Sequence, residues 1–147
     1  MRKTTRLYNI LFPIWMLMLL PATWLVVLPG NFIIDSLVLL IAMAAMKMAD
    51  KREKYKKYIL KIFIFGMLSD VIGAAIPFAA IYLDWYDFYT EPLFTVPGVL
   101  LAGVMIYIFN YYITLRDLDK VTRKKLALTF AIVTAPYTFA IPSTLIY

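Results

Sequence analysis

The chain has 147 residues, of which 63% are hydrophobic and 16% charged, with a formal net charge of +6. A soluble domain is only about 45–50% apolar, and a water-soluble core of this size could not hide the surplus, so lipid is the expected solvent for most of the chain. Cysteine and histidine are both absent, which excludes disulfides, thiolate or histidine catalysis and any Cys/His metal site, and leaves oxygen ligands for hard cations.

The composition predicts one all-α domain, residues 1–147: a polytopic integral membrane helix bundle of five transmembrane helices. The first span is 7–28, preceded by Arg2, Lys3 and Arg6. It is longer than a signal-peptide core, carries Pro13, Trp15, Pro21 and Trp24, and lacks a small-residue cleavage site, so it reads as a retained helix. Pro29-Gly30-Asn31 reads as a tight turn into the second span, 32–48, with Asp35 near its outer end. The basic loop 49–57 follows.

The third span, 58–83, holds Asp70, with Gly66, Ser69, Gly73 and Pro77 marking one face. The loop 84–92 is acidic and aromatic, with Asp84, Asp87 and Glu91 as an expected cation-concentrating outer entrance. The fourth span, 93–115, brings Gly98 and Ala102 at close-packing spacing, then Tyr107, Asn110 and Tyr111 as polar groups that could line a cavity. A second basic loop, 116–125, leads to the fifth span, 126–147, which contains Pro136 and Pro142. Prolines in the odd spans predict kinks whose freed carbonyls need another partner or a wet cavity.

Five crossings put every one of the 15 Lys and Arg residues on one side and Asp35, Asp84, Asp87 and Glu91 on the other. That asymmetry predicts a cytoplasmic N-terminus, an outside C-terminus and a prokaryotic plasma membrane. Anionic lipids are the expected partners of the basic loops. The small-residue faces predict a homodimer or larger membrane complex, and nothing points to nucleic acid.

Asp70 is the sharpest functional feature. A charge at the bilayer centre costs at least about 2.5–3.5 kcal/mol on insertion scales. The nearest base in sequence, Lys61, lies about 13 Å away along the helix axis. The carboxyl must therefore be neutral, face water, or hold a cation. The expected function is transport or binding of a proton, cation or small solute, with Asp70, Asn110, Tyr107 and Tyr111 as ligand residues and no cofactor. A non-catalytic scaffold subunit is the alternative. A membrane enzyme is the weakest reading, because Asp70 has no deep carboxylate partner in the sequence.

Overall fold

A computed structural model describes residues 20–87, 89–142 and 145. Among these the chain is helical and has no strand. The helices are α1 (Pro21–Ala45), α2 (Lys51–Tyr82), α3 (Glu91–Phe109), which continues into a π-turn at Asn110–Thr114, and α4 (Lys120–Val133). A short 3-10 turn, Tyr137–Ala140, follows. Three of the helices, Pro21–Ala45, Lys51–Tyr82 and Glu91–Thr114, are long and apolar enough to cross a membrane. Their outward faces are apolar too: Leu25 is 81% exposed and Leu100 65%. Such surfaces suit acyl chains and would be costly against water.

Two boundaries differ from the sequence reading, and both bear on the site. Pro29-Gly30-Asn31 is not a turn. It lies inside α1, which runs unbroken from Pro21 to Ala45. In hydrocarbon an interrupted backbone finds no water to bond, so proline and glycine are tolerated within a helix that elsewhere they would end. Pro21 sits at the helix start, where a missing N–H costs nothing. Of the expected first span, 7–19 lies outside the described residues, and 21–28 belongs to the same helix as the second.

The second difference is in the expected fifth span. Here α4 stops at Val133 after 14 residues, about 21 Å. Pro136 removes the N–H that would have reached Ile132, and the Tyr137 hydroxyl donates to the Ile132 carbonyl in its place. Asp119 caps the other end, accepting from the Thr122 N–H at 2.9 Å.

The helices pack antiparallel in chain order. The lysines and arginines from Lys47 to Lys61 and from Arg116 to Lys125 therefore share one end of the bundle. That end is tied by Asp117, whose Oδ2 accepts from Lys57 Nζ and from the Tyr58 hydroxyl, each at 2.6 Å. Beneath it lies a dry core that includes Leu39, Met43, Ile62, Ile106, Leu126 and Phe130. A smaller cluster, Val99 and Phe139 with Ala74 and Ile81 against them, occupies the opposite end.

The glycine stripes of the third and fourth spans meet each other. A Cβ on Gly73 would stand 2.5 Å from the Gly98 carbonyl oxygen, and one on Gly98 would stand 2.7 Å from that of Gly73. Pro77 deprives the Gly73 carbonyl of its helical donor. The backbone of Gly98, with no side chain in the way, closes on that oxygen directly, and does so where the sequence reading expected freed carbonyls to shape a pocket.

Candidate functional site: two carboxyls at a helix break

Between the two apolar clusters lies a polar layer. Removing the expected turn moves Asp35 from a helix end to the middle of α1, 14 residues past Pro21 and 10 before Ala45. It is 6% exposed. The sequence reading that left Asp35 among the outer acids is therefore corrected: it is an interior residue. Asp70, in the middle of α2, is 7% exposed.

The register of α1 on α2 brings them together. Ser36 bonds to the Tyr55 hydroxyl at 2.9 Å, Phe32 meets Phe63 edge-on at 5.6 Å, and Asn31 donates to the Met67 sulfur at 3.2 Å. In that register Asp35 lies opposite Gly66: its Oδ2 would be 3.7 Å from a Cβ there. Gly66 and Asp70 are one helical turn apart on the same face, so their Cβ positions are separated by about 5–6 Å. The absent side chain at Gly66 thus makes room for one carboxyl a single turn from the other.

Both acids line one cavity of about 220 Å³, with Asn31, Gly66, Thr134 and Pro136 among its walls. Asp70 Oδ1 is fully buried and has no hydrogen-bond partner among the described residues. Neither acid is in an ion pair among them, unlike Asp117, which pairs with Lys57. The third wall is the broken end of α4. Phe130 O is satisfied by the N–H and the hydroxyl of Thr134, and Ile132 O by Tyr137. The carbonyls of Val133 and Thr134, two wall residues, accept no hydrogen bond among the described residues. The C-terminal end of α4, the negative end of its dipole, is thus a wall of the cavity that Asp35 and Asp70 line.

The walls beyond the pair, Asn31, Tyr137 and Thr138, lie toward the end of the bundle opposite the basic loops. On the basic side Leu39, Ile62 and Phe130 are at most 1% exposed and close the floor. A separate apolar groove of about 670 Å³ between α1 and α2, walled by Trp24, Phe63 and Phe78 among others, also reaches Asp70.

The other sequence-derived residues fall elsewhere. Asn110 is fully buried at the π-turn, where neither its amide atoms nor the Thr114 hydroxyl has a partner among the described residues. Tyr107 stacks on Tyr111 at 5.5 Å, and the Tyr111 ring receives the Arg123 guanidinium at 4.4 Å. None of Tyr107, Asn110 and Tyr111 lines the carboxyl cavity. In the outer loop, Asp87 organises a turn by accepting from the N–H groups of Tyr89 and Thr90. Asp84 is exposed in a left-handed conformation, φ 56°. Glu91, at the start of α3, is 1% exposed.

Sequence reasoning found Asp70 and missed Asp35 and the α4 break as its neighbours. A signal for both was present: the expected second span is short at 17 residues, and Pro136 interrupts the fifth. Comparison with protein-family models, with curated proteins and with solved structures finds no match.

Proposed function

We propose that the chain is an integral membrane protein, oriented with its basic end in the cytoplasm, that binds and exchanges a proton or small cation at the Asp35–Asp70 pair. One observation carries this reading. Asp70, one of whose oxygens is buried without a partner among the described residues, lines a cavity together with a second buried carboxyl and the last residues of a helix. Negative groups gathered in low dielectric are tolerable only when a positive species joins them. Half-helix ends and unwound carbonyls are a recurrent way for membrane transport proteins to hold coupling ions near mid-depth. The orientation rests on the positive-inside rule, and it makes the cavity mouth face outward.

The test is flux into proteoliposomes under proton, sodium and small-cation gradients in turn. Asp70→Asn is close to isosteric and should insert and fold, yet abolish coupled flux; Asp35→Asn should do the same. Wild-type flux retained by Asp70→Asn under every gradient would remove the pair as the coupling site.

The pairing also favours a second reading that the sequence had set aside for want of a partner acid. Two carboxyls sharing a proton around one water can hydrolyse a peptide or ester bond, and the apolar groove would give a lipid-embedded substrate a path to Asp70. Cleavage of a membrane peptide or lipid by wild type, lost in both Asp→Asn variants and accompanied by no flux, would establish that reading instead.

A further inference from the structure

We propose that the ion held by the pair is a dehydrated alkali cation of sodium size, bound jointly by Asp35, Asp70 and the free main-chain carbonyls at the end of α4. This rests on the exchange reading above and narrows it. A proton would neutralise one carboxyl, whose O–H could then donate to a single acceptor, whereas a metal cation can be shared by both carboxyls and several carbonyl oxygens at once. A metal cation answers all three features together. It takes hard oxygen ligands, it pairs with the carboxylates, and it gives the Val133 and Thr134 carbonyls a positive partner in place of the N–H groups that α4 lacks beyond its end.

Charge and ligand supply favour a monovalent ion over a divalent one. Calcium takes 6–8 oxygens and magnesium gives up its water reluctantly. Among the described residues no third acidic side chain joins the pair. One alkali ion and one proton bring the two carboxyls to neutrality, so sodium and protons should compete at the site. The cavity, about 220 Å³, has room for such an ion among these oxygens.

The role of the break is separable from that of the acids. Replacing Pro136 by alanine restores an N–H at the position that ends α4, letting the helix continue and engage its own carbonyls while both carboxyls remain.

The experiment is equilibrium binding of radioactive sodium to the purified full chain in mild detergent, which needs no flux. Wild type should bind saturably, with one ion per chain, with lithium competing and choline not, and with affinity falling as the pH is lowered. Asp35→Asn and Asp70→Asn should each weaken binding by about tenfold or more. Pro136→Ala should weaken it comparably while keeping its thermal unfolding temperature, so that a folding defect in the acid variants cannot account for the whole result. No saturable sodium binding by wild type overturns the inference, as does displacement by magnesium or calcium at lower concentration than by sodium. Undiminished binding by Pro136→Ala overturns the carbonyl contribution. Proton flux through proteoliposomes in the absence of sodium binding would refute this inference and leave the exchange reading standing.

Discussion

At the scale of single residues, the acids divide by environment more than by position in the sequence. Asp117 sits at the water-facing end of the bundle. Partial burial by itself would raise its carboxyl, but hydrogen bonds from Lys57 and Tyr58 and the charge of Lys57 outweigh that and hold it below its ordinary value of 3.8. A carboxyl lowered on folding stabilises the fold above its unfolded value, and that contribution is lost as the pH falls through the folded one. Acidification below the ordinary carboxylate range should therefore loosen the basic end. Both side chains of the ion pair are about half exposed, so Asp117→Asn should cost only about 0.2–1 kcal/mol at neutral pH. Thermal melts across the acidic range check this: the variant should show a shallower pH dependence than wild type. Asp70 was legible in the sequence because a lone carboxylate twelve residues inside an apolar run needs only hydropathy to be noticed. Asp35 was not, because its depth depends on whether Pro29-Gly30 ends a helix, and that is decided by the surrounding solvent and packing rather than by the dipeptide.

At the scale of helices, glycine separates two roles that look alike in the sequence. Gly73 is needed for backbone contact between α2 and α3, where an added Cβ would also meet Ala102 Cβ at 2.8 Å. Gly73→Ala should destabilise the bundle by about 1–3 kcal/mol through overpacking. Gly66 only leaves space beside Asp35, and a methyl group there makes an ordinary 3.7 Å contact. Gly66→Ala should be neutral or slightly stabilising, since alanine is the better helix former. Unfolding temperatures in detergent decide the point: equal damage by both substitutions would contradict this division. In the sequence, the spacing of Gly66, Ser69, Gly73 and Pro77 suggested one packing face of α2, but Gly66 lies opposite Asp35 of α1 and Gly73 against Gly98 of α3. Its partner could not be read there, because small-residue stripes serve contacts within a chain and between chains equally well. The end of α4 was half legible: Pro136 announced a kink, but whether the chain resumes as a helix depends on Tyr137 reaching the Ile132 carbonyl, a contact without periodicity.

At the scale of the whole molecule, charge placement is the most readable property. The described lysines and arginines gather at one end, as the alternation of basic and acidic loops implies for antiparallel helices. Because the native chain has no cysteine, single cysteines report sidedness cleanly. Introduced at Ala49 and Thr122 they should react with an impermeant thiol reagent only from the cytoplasmic face, and at Tyr89 only from outside. Reaction of positions 49 and 89 from the same side would contradict the arrangement. Two of the glycines behind the expected homodimer, Gly73 and Gly98, meet each other within the chain. That same contact has a mechanical meaning. Two helices whose backbones meet this closely interdigitate with little free volume, and close-packed interiors transmit strain rather than absorb it, so α2 and α3 are expected to move together. Of the three residues on the floor of the cavity, Ile62 belongs to this pair, and Leu39 and Phe130 come from α1 and α4. Asp70 therefore stands on the rigid pair, and Asp35 and the end of α4 on helices held to it by side-chain contacts.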